Sequence, residues 1–195
     1  MRIGIDIDNT LTEIQDELNK AAYEYAIKLG KDIDSLKNNM EDIKNNGDLY
    51  KKKFKFSYDE LKYFLKDIQE EITNKALPRE GVVEVINNLK EEGHEIYIIT
   101  ARDSEFHDNP YLLSKNWLDK NSIYYDKLIV NARKKAPICF EEKIDIFIDD
   151  QLNNCIDVSE VGIKSIRISN DEMVYPNIFN TKNWKQIYDY IKGMK

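Results

Sequence analysis

A pair of carboxylates closes the first apolar run of the chain. Asp6 and Asp8 end the stretch Arg2–Asp8, and Thr10 follows two residues later. Apolar runs that are rich in Ile and bounded by polar residues are typical of buried parallel strands. The sequence therefore brings two like charges to the end of a buried strand. Carboxylates in such a place can bind a hard cation such as Mg²⁺, attack an electrophile, or exchange protons with a substrate.

The carboxyl ends of three further apolar runs also carry polar residues. These are Thr100 and Arg102 after the second run, Lys134 and Lys135 after the third, and Asp149 and Asp150 at the end of the fourth. Ligands of parallel sheets bind outside the carboxyl ends of the strands, so we expect these side chains to meet at one site. Clustered acids need a cation, and a lysine with a hydroxyl can hold phosphoryl oxygens. The combination predicts Mg²⁺-dependent chemistry on a phosphate ester.

Each of these features also fits an ordinary structural role when it is taken alone. Asp6 with Asp8 fits a solvated strand end, and Asp149 with Asp150 fits a helix N-cap. A lysine at a helix start is most often a surface residue. Their joint occurrence at successive strand ends is what favours a functional site.

The fold predicted from the apolar pattern is an α/β fold with a doubly wound parallel sheet of five strands. Amphipathic helical segments separate most of the strands, which implies right-handed crossovers. The predicted strands are Arg2–Asp8, Glu95–Thr100, Lys127–Val130, Asp145–Asp149 and Lys164–Ile168.

About 85 residues separate the first two predicted strands, far more than a simple crossover needs. The segment contains apolar residues at helical spacing, and Ser57 with Glu60 forms a capping-box pattern before a second helical stripe. Residues 13–77 are therefore predicted to be a helical cap, inserted into a core domain made of residues 1–12 and 78–195. An insertion directly after the first strand would cover the carboxyl ends of the sheet.

The composition limits the class of protein. The 195 residues are 42% hydrophobic and 33% charged, with a net charge of −7, which disfavours binding to a nucleic-acid polymer. No apolar run is long enough to span a membrane, and the pattern of a secretory signal is absent. Cys139 and Cys155 are too few for a disulfide framework. We expect a cytoplasmic protein with no membrane partner, whose oligomeric state the sequence does not indicate.

Four motifs resemble those of the haloacid dehalogenase superfamily of phosphohydrolases. In order along the chain they are "DIDNT", "IYIITAR", "KKA" and "IFIDD", and the insertion is similar to the C1-type cap of that family. The resemblance implies that Asp6 is the nucleophile, that Asp8 is the general acid and base, and that Thr100 and a lysine hold the phosphate. Lys135 is the preferred lysine, although Lys134 stays possible.

The resemblance also implies Mg²⁺ as the cofactor. Asp6, the main-chain carbonyl of Asp8 and Asp149 would hold the ion, with Asp150 behind them or acting through water. Arg102 is predicted either to reach a substrate phosphate oxygen or to form a salt bridge.

The short cap, the "TAR" triplet and the "IDD" ending resemble the 5′-nucleotidase and deoxyribonucleotidase branch of the superfamily. The predicted activity is therefore hydrolysis of a small phosphate ester, with a nucleoside monophosphate as first candidate. Two alternatives stay open: an enzyme acting on sugar phosphates, as a phosphatase or a phosphomutase, and a non-catalytic module that binds Mg²⁺ and phosphoesters. Residues 49–58 interleave basic and aromatic side chains, which fits either base stacking or half-buried aromatics.

Overall fold

The computed structural model describes residues 1–32, 47–172 and 174–194. Within these ranges the chain forms one parallel sheet of six strands in the order β3-β2-β1-β4-β5-β6, which confirms the predicted fold class. The strands are β1 (Arg2–Ile5), β2 (Glu95–Ile99), β3 (Lys127–Ile129), β4 (Ile146–Asp149), β5 (Lys164–Ile168) and β6 (Ile178–Thr181).

The sheet has six strands, and the predicted number of five was wrong. The strand that the prediction missed is β6, which pairs with β5 at the edge of the sheet. It is only four residues long, and its two central residues are half exposed, so its sequence lacks the continuous apolar run of a buried strand. The helix after it begins at Trp184, because the side chain of Asn183 accepts a hydrogen bond from the amide of Gln186.

Helices cover both faces of the sheet, as a doubly wound fold requires. Alternate residues of each strand point to opposite faces, so Ile96 and Ile98 pack on one side of β2, and Tyr97 and Ile99 on the other. The helices of the core domain are α4 (Val82–Glu91), α5 (Pro110–Lys120), α6 (Lys135–Glu141), α7 (Leu152–Glu160) and α8 (Trp184–Lys192). Helices α4, α5 and α8 pack on the first face, and helices α6 and α7 on the second.

The described residues between β1 and α4 are mainly helical. It contains α1 (Gln15–Lys28), α2 (Gly47–Phe54) and a continuous helix, α3, whose α-helical parts Tyr58–Tyr63 and Glu70–Lys75 flank a π-helical part, Phe64–Gln69. The predicted capping box of Ser57 and Glu60 is present at the start of α3. We refer to residues 13–32 and 47–77 as the helical insert.

The aromatic residues of the 49–58 stretch belong largely to a small core of the insert. Tyr50, Phe54 and Phe56 are buried there against Phe64, with ring centroids 4.9 to 5.8 Å apart along the chain of contacts Tyr50–Phe64, Phe64–Phe56 and Phe56–Phe54. Edge-to-face and offset contacts at such distances stabilise a core beyond the area that they bury. The insert thus has an apolar core separate from those beside the sheet.

Across the described residues, none of the helices is long and apolar enough to cross a membrane.

Candidate active site

The first strand ends in a tight turn that carries Asp6 and Asp8. The amide of Asp6 donates to the carbonyl of Ile148 at 3.0 Å, and the chain then leaves the sheet, so β1 is shorter than the predicted Arg2–Asp8. Three successive amides, those of residues 10 to 12, donate to the carbonyl of Ile7. Asn9 has a φ of +59°, a conformation that Asn tolerates better than most residues. Both aspartates line the cavity that lies outside the end of the sheet.

Three of the predicted acids meet at this end of the sheet. Carboxylate oxygens of Asp6, Asp149 and Asp150 all lie within 4.8 Å of one another, and all three residues are buried. Asp149 is held from both sides: its Oδ1 accepts from the amide of Gln151 at 2.7 Å and its Oδ2 from Nδ2 of Asn154 at 2.9 Å. We call these three residues the acid triad.

The pKa values of the triad show an excess of buried negative charge. Burial, followed by the charge of Asp6, raises the pKa of Asp149 to about 7. Burial raises the pKa of Asp150 well above its usual value, and it raises that of Asp6 despite the opposing charge of Lys135. A compact set of buried carboxylate oxygens is the donor set that a hard divalent cation prefers. The residues present therefore fit Mg²⁺.

Lys135, the first residue of α6, reaches into the same site. Its Nζ lies 2.6 Å from Oδ1 of Asp6 and also donates to the carbonyl of Ile99, and the residue is only 2% exposed. Lys134, the alternative that the sequence left open, is the exposed N-cap residue of α6. Of the two lysines, it is Lys135 that the structure brings to Asp6.

Thr100 follows the end of β2 and lines the same cavity. It is 1% exposed, and its amide donates to the carbonyl of Ile129 at 2.9 Å. A buried hydroxyl at this point, near the Asp6–Lys135 pair, lies where the sequence predicted it.

The carboxylate of Asp8 is bound to Arg102 and lies outside the acid triad. Arg102 donates from Nε to Oδ2 at 2.9 Å and from Nη2 to Oδ1 at 2.8 Å, which makes a bidentate ion pair. Burial alone would raise the pKa of Asp8, but the charge and hydrogen bonds of Arg102 outweigh it and hold that pKa below its usual value. Metal binding through the main-chain carbonyl of Asp8 stays a prediction.

The helical insert supplies one wall of the cavity, which has a volume of about 540 Å³. Two of these wall residues, Tyr50 and Lys51, belong to the 49–58 stretch for which the sequence left base stacking open. The apolar wall residues were not identified from the sequence, because apolar residues at helical spacing look like core. Gln15 could not be singled out among many polar residues of the insert. The insert residues that line the cavity are Gln15, Leu18, Tyr50, Lys51, Leu61, Leu65 and Gln69.

A core loop after β2 contacts the insert beside the cavity. Nδ1 of His107 lies 2.8 Å from Oε1 of Glu70 in α3, and Lys66 pairs with Asp108 at 2.8 Å. Phe106 packs against the apolar core of the insert. These contacts, together with the insert wall, border the cavity that Asp6 and Asp8 line.

Known proteins provide an independent comparison. The chain is 29% identical over 117 residues to a protein of Clostridium acetobutylicum named a nucleotidase, an alignment that spans 58% of each protein, so less than two thirds of that relative is covered. A provisionally named nucleotidase of Bacillus cereus is 27% identical over 157 residues, 77% of each protein. The crystal structure of a predicted phosphatase from Clostridium acetobutylicum superposes with a TM-score of 0.70 at 14% identity, covering 98% of both chains.

The model of one hydrolase family, described as haloacid dehalogenase-like hydrolase, matches residues 2–156. This range contains both aspartates of the first turn, Lys135 and the acid triad. The chain therefore belongs to the haloacid dehalogenase-like hydrolase family.

Proposed function

We propose that this protein is a Mg²⁺-dependent phosphomonoesterase that acts through an aspartyl-phosphate, with a nucleoside monophosphate as its substrate. The observation that carries the proposal is the contact between Lys135 and Asp6, a member of the acid triad. Asp8, a carboxylate outside the triad, lines the same cavity. A nucleophile, a fixed cation, a cation-binding set and a separate acid are the groups that phosphoryl transfer to a carboxylate needs.

In the first step a carboxylate oxygen of Asp6 attacks phosphorus. The bond between phosphorus and the ester oxygen breaks, and Asp8 donates a proton to that oxygen, so the alcohol leaves neutral. Only the protonated fraction of Asp8 can take this step, because Arg102 holds the pKa of Asp8 below its usual value. Lys135 and the hydroxyl of Thr100 hold phosphoryl oxygens and offset the charge that develops on them.

In the second step water attacks the phosphorus of the aspartyl-phosphate. Asp8, now ionised, takes the proton of that water, and the bond between phosphorus and Asp6 breaks. The products are inorganic phosphate and the original carboxylate of Asp6. Both steps use the same two aspartates, and the overall reaction consumes only the ester and one water molecule.

Asp6, Asp149 and Asp150 are the side chains that would hold Mg²⁺. The ion, when bound, neutralises the acids and the phosphate so that an anionic nucleophile can approach an anionic ester. Asn154 and the amide of Gln151 orient Asp149 toward this task through the two hydrogen bonds given above.

The cavity wall supports a substrate with a large, partly apolar leaving group. Leu18, Leu61 and Leu65 supply apolar surface, while Gln69 supplies an amide that can pair with a polar edge of a ring. A nucleoside combines a flat apolar ring with such edges. The names of the two curated relatives favour the same class of substrate.

The experiment is a measurement of phosphate release from nucleoside 5′- and 3′-monophosphates and from sugar phosphates, with Mg²⁺ and with EDTA. We expect Mg²⁺-dependent release that is fastest from a nucleotide, and its loss in Asp6→Asn. The matched control is Asp16→Asn, an exposed aspartate of α1. Isomerised sugar phosphate without free phosphate would indicate a mutase. Binding of nucleotides without release from any substrate would indicate a non-catalytic module.

A further inference from the structure

We propose that Arg102 is a positioning residue for Asp8 and does not bind the phosphate of the substrate. This inference rests on the proposed function, because it assigns how the proton donor of that reaction is held. The bidentate ion pair engages both oxygens of Asp8, with Nε bound to one and Nη2 to the other. A planar guanidinium bound this way fixes both the place and the rotation of the carboxylate.

Both residues line the cavity, and Asp8 is the more exposed of the two. The side chain of Arg102 is 3% exposed, whereas that of Asp8 is 23% exposed. Each carboxylate oxygen has a second lone pair, so Asp8 can still contact a substrate while Arg102 binds it. Asp8 is therefore the more accessible of the two side chains to a substrate.

Other contacts hold Arg102 in this place. Its Nη1 lies 3.4 Å from Oγ of the buried Ser114 in α5, and its carbonyl accepts from the amide of Asn131 at 2.8 Å. The side-chain oxygen of Asn131 in turn accepts from the amide of Ser104 at 2.9 Å. The main chain at Arg102 and at Ser104 is thus tied to the loop after β3, which suits a fixed support better than a side chain that moves to bind each new ligand.

A bidentate contact with phosphate through Nε and Nη2 would require Arg102 to leave Asp8, and the third nitrogen, Nη1, faces Oγ of Ser114. That movement would leave the carboxylate of Asp8 without its cationic partner in a largely enclosed site, which is unfavourable. The site already contains another buried cation for the phosphate, Lys135 beside Asp6. The geometry therefore gives the two cations different partners: Lys135 pairs with the proposed nucleophile, Asp6, and Arg102 pairs with the proposed proton donor, Asp8.

The test compares two leaving groups in Arg102→Met and Arg102→Lys. 4-Nitrophenol leaves readily as an anion, whereas an alkyl alcohol needs a proton. The comparison uses kcat/KM, because this quantity contains the step in which the leaving group departs and not the later hydrolysis, in which Asp8 acts on the same intermediate for both substrates. If Arg102 acts through Asp8, kcat/KM for the best alkyl phosphate of the panel falls by roughly 100-fold, within the range that general acid catalysis contributes. We expect kcat/KM for 4-nitrophenyl phosphate to fall much less. Inhibition by inorganic phosphate should stay within about twofold, because the binding of phosphate is unchanged.

A double-mutant cycle with Asp8→Asn supplies the second readout. Adding Arg102→Met to Asp8→Asn should reduce kcat/KM for the alkyl phosphate little further, because the partner of Arg102 is already lost. Far-UV circular dichroism and urea unfolding report whether each variant is folded. The control for the loss of a guanidinium at the cavity is Arg133→Met, whose side chain binds Asp103 and Glu105 and not Asp8. This control should not show the difference between leaving groups.

Equal losses on both substrates, with weaker inhibition by inorganic phosphate, would make Arg102 a phosphate ligand and overturn the inference. A double variant in which the losses of the two single variants add in full would also overturn the inference. Wild-type protein that releases phosphate from neither substrate would instead refute the proposed function, and the inference with it. The two failures are therefore distinguishable by the wild type alone.

Discussion

Nζ of Lys135 lies 2.6 Å from Oδ1 of Asp6, and both side chains are at least nine-tenths buried. The two residues are 129 positions apart in sequence, and they meet because β1 and the loop that precedes α6 end at the same edge of the sheet. Among the residues that the structure describes, it is this lysine that forms an ion pair with a carboxylate of the acid triad. Its contact with Asp6 stabilises the ionised form of the carboxylate that we propose as nucleophile, against the burial that disfavours it.

Replacing Lys135 with Met should therefore lower both stability and turnover. Removing one partner of a buried ion pair costs about 3 kcal/mol or more, because the remaining charge is left without compensation. We expect kcat for the best substrate to fall at least about 100-fold, as it does when a donor that stabilises developing charge is removed. The checks are urea unfolding at fixed pH and steady-state kinetics.

The exposed neighbour Lys134 provides the control for that variant. Lys134→Met should change the free energy of unfolding by less than about 0.5 kcal/mol, as is usual for surface substitutions. Similar losses in the two variants would contradict the assignment of Lys135.

The acid triad should make stability depend on pH in an unusual direction. The folded protein raises the pKa of Asp149 from 3.8 to about 7, so between these values the folded state binds more protons than the unfolded state. Stability that comes from such a group is present below pH 4 and is lost as the pH rises toward 7. Asp6 and Asp150 shift in the same direction. We expect the triad to make the metal-free protein less stable as the pH rises through this window, against the usual behaviour of carboxylates.

Mg²⁺ should offset that loss, because it binds the ionised acids. At 100 times its dissociation constant, a ligand stabilises the folded state by about 2.7 kcal/mol. For a chain of this size the increase in Tm would be roughly 5 to 10 °C. Thermal unfolding at pH 8 and pH 5.5, with Mg²⁺ and with EDTA, should show the larger increase at pH 8. Asp149→Asn should abolish the difference between the two pH values. A Tm that Mg²⁺ does not change at either pH would contradict a metal site at the triad.

The contact between His107 and Glu70 should help to close the insert over the site. His107 lies in a core loop and is 7% exposed, and Glu70 lies in α3. Glu70→Gln keeps the shape of the side chain and removes its charge. A hydrogen bond to a charged group contributes about 1.5 kcal/mol, so KM for the best substrate should rise by roughly tenfold with kcat less affected.

Glu71→Gln is the matched control for Glu70→Gln. It changes the next residue of α3, whose partner, Lys75, lies on the same helix. This variant should leave KM unchanged. The same increase in both variants would mean that charge on α3 matters and that closure does not.

The sequence predicted the core of the site because its residues follow strand ends. Asp6, Thr100 and Asp149 each end or follow an apolar run, and a parallel sheet brings such ends together whatever the details of packing. The choice between Lys134 and Lys135 was beyond the sequence, since it depends on which residue of the first helical turn faces inward.

Other features of the molecule depend on contacts that have no local pattern. Arg102 and Asp8 are 94 positions apart, and their pairing depends on the orientation of two side chains in the loops after β2 and β1. Leu65 lines the cavity but also belongs to the apolar core of the insert, so its helical spacing identified only the second role. The edge strand β6 is too short and too polar to give a strand pattern of its own.

The π-helical part of α3 should determine which leaving group fits. Positions spaced by four drift around a regular α-helix of 3.6 residues per turn. A wider π-helical turn reduces that drift, so Leu61, Leu65 and Gln69 can all line the cavity. Gln69, half-buried and at the end of this row, would contact the leaving group and not the phosphate. Gln69→Ala should therefore lower kcat/KM for a nucleotide by roughly tenfold, the value of about one hydrogen bond.

The same variant should hydrolyse a small ester such as glycerol phosphate at the rate of the wild type. Asp67→Ala, which changes an exposed residue of the same π-helical segment, is the control and should alter neither substrate. If Gln69→Ala slowed both substrates equally, the residue would support the site as a whole, and the leaving group would have to be recognised elsewhere on the wall. A selective loss on nucleotides would instead assign the wall of the insert to the nucleoside, because the phosphate chemistry is common to both esters.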